Sequence, residues 1–161
     1  MSQIRVVVNG VLGRMGQQVV SAVASDVGLE LVGGADIRAN DDHLAMPGKS
    51  TCIPLCTDLN YLLESSRPDV LVDFSIAEAA ITATRLALKG GTHVVIGTTG
   101  LNETHLAEIN ELAIANNKGA IVAANFAIGA VVLMHLAKVA SKYFDNAEII
   151  ELHHDKKVHR G

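Results

Sequence analysis

The tightest constraint in this chain is a β-branched run that breaks into three glycines spaced three apart: Ile4-Arg5-Val6-Val7-Val8-Asn9-Gly10-Val11-Leu12-Gly13-Arg14-Met15-Gly16. Val6, Val7 and Val8 are apolar on consecutive positions, which predicts a strand buried on both faces, as in a parallel sheet. Met15, Val19 and Ala22/Val23 then recur at helical spacing and predict one apolar helix face. Strand, glycine turn and helix in that order open a dinucleotide-binding unit. Gly10 suits the tight turn, Gly13 the approach of backbone to a pyrophosphate, and Gly16 the packing of helix on strand. Amides at the helix start hold the phosphates. The spacing is G-x-x-G-x-x-G, not the commoner G-x-G-x-x-G.

From there strand and helix alternate almost to the end, which predicts an α/β fold, a Rossmann-like doubly wound parallel sheet covered on both faces. Strands are expected at Ile4–Asn9, Leu29–Asp36, near Cys52–Cys56, and at Val70–Phe74, His93–Gly97, Ala120–Ala124 and Ala147–His153. Helices are expected at Gly13–Ser25, Asp58–Ser65, Glu78–Lys89, Glu103–Asn117 and Ile128–Tyr143, with Asp58 an N-cap and Gly90-Gly91 a left-handed stop. The polar stretch Ala39–Lys49, with Pro47-Gly48, reads as a mobile loop. The apolar run Ile128–Met134 reads as a buried helix.

With 161 residues, 49% hydrophobic and 19% charged, the chain has enough material for one sizeable core. A net charge of −4 without a clustered basic face argues against nucleic acid as a partner. The start at Met1-Ser2-Gln3 enters a strand at once, leaving no room for a leader, and no apolar run approaches the roughly 20 residues of a membrane span. Cys52 and Cys56 read as unreactive thiols of a reducing cytoplasm, where a disulfide or half a metal site are the alternatives.

Asp36 closes the second strand 20 residues after Gly16, where a carboxylate can accept from both hydroxyls of an adenosine ribose. Arg14 and Arg38 flank it and can meet a 2′-phosphate, so NADH and NADPH are both expected. Gly97-Thr98-Thr99-Gly100 and Ala123-Ala124-Asn125-Phe126 follow two further strands, and Asp73-Phe74-Ser75 ends another, so these turns are expected to converge on one crevice. His153-His154 and Lys157 supply general acids near neutral pH or a solvated terminus. Metal-ligand spacing of the H-E-x-x-H kind is absent, and no metal is expected.

Taken together, Gly10-Val11-Leu12-Gly13-Arg14-Met15-Gly16, Asp73-Phe74-Ser75, Gly97-Thr98-Thr99-Gly100, Ala124-Asn125-Phe126-Ala127-Ile128-Gly129 and His153-His154-Asp155-Lys156-Lys157-Val158 resemble the dihydrodipicolinate reductase family of lysine and diaminopimelate biosynthesis. The resemblance implies an NAD(P)H-dependent reductase acting on a small cyclic dicarboxylate, 4-hydroxy-tetrahydrodipicolinate, in a cytoplasmic homotetramer. It implies that Gly10, Val11, Leu12, Gly13, Arg14 and Met15 hold the pyrophosphate, with Asp36 and Arg38 at the adenosine ribose. Gly97, Thr98, Thr99, Ala123, Ala124, Asn125 and Phe126 would line the nicotinamide. His153 and Lys157 would be the proton donors and His154 a substrate contact. Residues 1–126 would be the nucleotide domain and 127–161 the start of an α+β substrate and tetramerisation domain, cut short after the H-H-x-x-K motif. The alternatives are an inert nucleotide-binding fragment and another Rossmann dehydrogenase.

Overall fold

In the computed structural model the structure describes residues 2–146, apart from 49 and 124, together with 148 and 150. The chain divides into two compact units, Met1–Ala124 and Asn125–Gly161. In the first, β1 (Ile4–Asn9), α1 (Arg14–Ser25) and β2 (Leu29–Ala35) lead into β3 (His43–Ala45) and β4 (Cys52–Cys56). Then follow α2 (Leu59–Ser66), β5 (Val70–Asp73), α3 (Ala77–Lys89), β6 (His93–Ile96), α4 (Glu103–Ala115) and β7 (Ala120–Val122). The sheet runs β3-β4-β2-β1-β5-β6-β7 and is parallel throughout except where β3 meets β4. Without that antiparallel edge, its six parallel strands stand in the doubly wound order 3-2-1-4-5-6, with the switch point between β1 and β5. The fold is the Rossmann-like α/β architecture that the strand–helix alternation predicts.

Consecutive apolar residues in β1 serve both faces of the sheet. Val7 joins Leu71, Val94 and Ile96 beneath Leu62, Ala80, Leu88 and Ile109 of α2, α3 and α4. Val6 and Val8 join Leu31 and Leu55 beneath Val20 and Val23 of α1. Each buried aliphatic side chain contributes roughly 1.5–3 kcal/mol, so these two layers carry most of the driving force for folding.

Two expectations change. Residues 39–49 are not all loop, because β3 pairs with β4 and sets Leu44 opposite Ile53. Its three residues have no pattern of their own, and the free edge of β4 supplies the hydrogen bonds that make it a strand. Gly90-Gly91 stops α3 as expected, Gly90 as the right-handed cap and Gly91 in the left-handed region (φ +84°). In the second unit α5 spans Ile128–Ala140 and a 3₁₀ turn Ser141–Tyr143, but no residue of α5 is buried. Its apolar run is a candidate core that the described residues leave uncovered. The expected strand Ala147–His153 lies outside the described residues except at Glu148 and Ile150, which have no regular structure.

Candidate nucleotide site

Strand register builds the site. Asn9 pairs with Ala35 on one side and Asp73 on the other, Asp73 with Ile96, and Ile96 with Val122. The ends of β1, β2, β5, β6 and β7 therefore lie along one line, at the carboxyl edge where open α/β sheets bind ligands.

The glycine turn behaves as its spacing predicts. Gly10 has φ +74°, and a Cβ there would stand 2.7 Å from the Phe74 carbonyl oxygen. A Cβ at Gly16 would overlap the Gly10 carbonyl oxygen, so α1 crosses the turn at a distance only glycine permits. The amides are distributed less simply. Gly10 and Val11 N–H both donate to Ala35 O (2.8 and 3.2 Å), and Gly13 N–H donates to Gly10 O (3.0 Å). Leu12 N–H donates to Asp36 Oδ2 at 3.0 Å. The turn thus spends these amides on itself and on β2. The next amides along the chain belong to the first turn of α1, where a helix start favours an anion, ahead of Gln17, whose N–H reaches Gly13 O. The Val11 side chain is fully buried and presents only backbone. Arg14 and Met15 line a groove over the start of α1.

Asp36 stands at the end of β2 beside a cavity of about 360 Å³ lined by Asn9, Gly10, Gly13, Asp36, Arg38 and Ser75, among others. Its side chain is only 4% exposed. Oδ1 accepts from Arg38 N–H and Nε, and Oδ2 from Arg38 Nη2 and Leu12 N–H, each at 3.0 Å. The Arg38 guanidinium, against the opposing cost of burial, holds the Asp36 carboxyl below the usual carboxylate range.

The turn Asp73-Phe74-Ser75, expected on the crevice, brings a second carboxylate to the strand ends. Asp73, 1% exposed, accepts Asn9 Nδ2 on Oδ2 (2.6 Å). On Oδ1 it accepts Ser75 N–H (3.0 Å), Ser75 Oγ (2.8 Å) and Thr98 Oγ1 (2.7 Å). It ties the ends of β1, β5 and β6 together. Because Thr98 donates inward, its hydroxyl keeps only acceptor capacity. Gly97 receives the Phe74 ring, which a Cβ would overlap, and Thr99 is exposed. Ala123 N–H is tied to Ile96 O at 3.0 Å. Asn125 and Phe126 belong to the second unit, where Asn125 Oδ1 accepts Ala127 N–H (2.8 Å). Ala124, His153, His154 and Lys157 lie outside the described residues. Among the described residues, no group of three or more His, Cys, Asp or Glu is placed to hold a metal.

A six-strand doubly wound order, a glycine turn feeding a helix and a carboxylate closing β2 define a dinucleotide-binding protein of the Rossmann class. Residues 4–126 match the family model described as dihydrodipicolinate reductase, N-terminus. A 4-hydroxy-tetrahydrodipicolinate reductase of Dehalococcoides mccartyi is 46% identical over 158 residues, 98% of this chain and 60% of the relative. One from Listeria monocytogenes is 39% identical over 156 residues, 96% of this chain and 59% of the relative. Among solved structures, dipicolinate-bound dihydrodipicolinate reductase from Paenisporosarcina sp. TG-14 superposes with a TM-score of 0.79 at 38% identity, covering 98% of this chain and 60% of that one. The chain belongs to the dihydrodipicolinate reductase family, and spans about 60% of the length of these relatives. Homoserine dehydrogenase of S. aureus, 20% identical with a TM-score of 0.62, shares the fold alone.

Proposed function

We propose that this chain is the nucleotide-binding portion of an NAD(P)H-dependent reductase of 4-hydroxy-tetrahydrodipicolinate, in lysine and diaminopimelate biosynthesis. The observation that carries the reading is the line of strand ends formed by Asn9, Ala35, Asp73 and Ile96, with the glycine turn on it and Asp36 beside it. Family membership supports this one reaction for the site. A bound nicotinamide dinucleotide supplies hydride to the cyclic substrate. The first turn of α1 takes the pyrophosphate, while Asp36 and Arg38 read the adenosine ribose in NADH or NADPH. By family motif Gly97, Thr98, Thr99, Ala123, Ala124, Asn125 and Phe126 are the nicotinamide contacts. The substrate is a small dicarboxylate, in keeping with the dipicolinate named for the Paenisporosarcina relative. His153 and Lys157 are the proton donors by family motif, and His154 a substrate contact. Residues 127–161 begin the substrate domain of a cytoplasmic homotetramer, and among the described residues no helix is long and apolar enough to cross a membrane.

Gly13→Val tests the nucleotide site. Gly13 has an ordinary φ of −74°, and its Cβ would meet only Gly10 O, at 3.1 Å, so the variant should fold. The added side chain would occupy the approach to the α1 amides. Calorimetry should find NADH binding lost, with the circular dichroism spectrum unchanged. Undiminished affinity in the folded variant would refute the site.

A further inference from the structure

An ionised carboxylate has about four lone-pair positions, and in Asp36 four donors already fill them. Two are backbone amides, Leu12 and Arg38, that hold the carboxylate in place. The other two are Nε and Nη2 of Arg38, a bidentate fork laid across the carboxylate. The ribose hydroxyls of a dinucleotide need those same two positions. Arg38 itself is free to leave, because its side chain is 61% exposed while Asp36 beneath it is 4% exposed.

We propose that Arg38 is a latch on the ribose subsite, an intramolecular competitor that NADH must displace and that NADPH recruits. The inference rests on the nucleotide reading above and goes beyond it in one respect. Arg38 is not simply a contact shared by both cofactors; it acts on them with opposite sign. With NADH, the two hydroxyls replace the guanidinium on Asp36, and Arg38 turns into solvent with nothing new to bind. With NADPH, the 2′-phosphate takes the fork that Asp36 releases, and this geometry suits guanidinium well. Asp36 without Arg38 is therefore a better NADH site than the native pair. The exposed arm of the pair limits the gain, since exposed ion pairs are weak.

The test is equilibrium binding of NADH and NADPH to the 161-residue chain, its Arg38→Gln variant and the Asp36→Asn/Arg38→Gln double variant. Thermal melting confirms the fold of each. Arg38→Gln should bind NADH about two- to fivefold more tightly. It should bind NADPH roughly tenfold or more weakly, from loss of a charge-assisted contact. In the double variant the gain for NADH should vanish. Unchanged or weakened NADH binding in Arg38→Gln overturns the latch while leaving the nucleotide site standing. A wild-type chain that binds neither dinucleotide overturns the nucleotide reading and the latch with it.

Discussion

Asp73 is almost wholly buried, yet it takes four hydrogen bonds and no cation among the described residues stands against it. Removing it strands the Asn9 amide, the Ser75 amide and two hydroxyls, each costing roughly 1–3 kcal/mol if left buried and unpaired. Asp73→Ala should therefore lose about 3 kcal/mol or more in urea unfolding. Asp73→Asn keeps one acceptor oxygen for Ser75 and Thr98 but turns an N–H group toward the Asn9 amide. A loss of about 1–2 kcal/mol is expected there, unless Asn9 flips to present its oxygen. A loss under 0.5 kcal/mol in the alanine variant would show that the network contributes little. The glycines were legible because turn geometry is local: Gly10 needs its positive φ whatever surrounds it. Asp73 was legible as the strand end that opens one of the crevice turns, but not as a buried acceptor of four hydrogen bonds. Whether such a carboxylate meets water or four protein donors depends on β1 and β6, which are far away in sequence.

At the scale of elements, apolar periodicity placed every helix of the first unit within about two residues of its position, because each buries a face on the sheet. Asp58 caps α2 as expected, accepting Tyr61 N–H at 3.1 Å. The cap of α4 was harder to read. Asn102 accepts His105 N–H, and the His105 ring accepts the Asn102 amide, a capping box with histidine where glutamate is usual. β3 lacks any local signal and exists through its partner strand. The clearest unmet element is α5, whose Val131, Val132, Leu133, Met134 and Leu136 are 49–67% exposed. These residues are apolar around most of the helix circumference, and exposed apolar surface of this kind favours association. Sedimentation of the 161-residue polypeptide should show concentration-dependent self-association, relieved by Leu133→Lys with Met134→Lys. A monomer over the whole accessible concentration range would contradict this.

At the scale of the whole molecule, residues 4–126 match the family's N-terminal model, and the chain spans about 60% of the length of its relatives. Holding substrate against cofactor can supply roughly 7–11 kcal/mol of a barrier, and the candidate acids His153 and Lys157 need neighbours to orient them. The 161-residue polypeptide alone should bind NADH without turning over 4-hydroxy-tetrahydrodipicolinate. A steady-state rate of about 1 per second or more, lost in His153→Ala, would show that it assembles a working site. The sequence by itself determined the strand–turn–helix opening, the parallel sheet and the family, since these follow from local periodicity, turn chemistry and motif order. Only the tertiary structure decided that Gly10, Val11, Leu12 and Gly13 spend their amides internally, that Arg38 lies across Asp36, and that Asp73 joins three strand ends. The acceptors of Asp36 and Asp73 are filled in part by Leu12, Asn9 and Thr98, groups 24 to 64 residues away that meet them only once the sheet has closed.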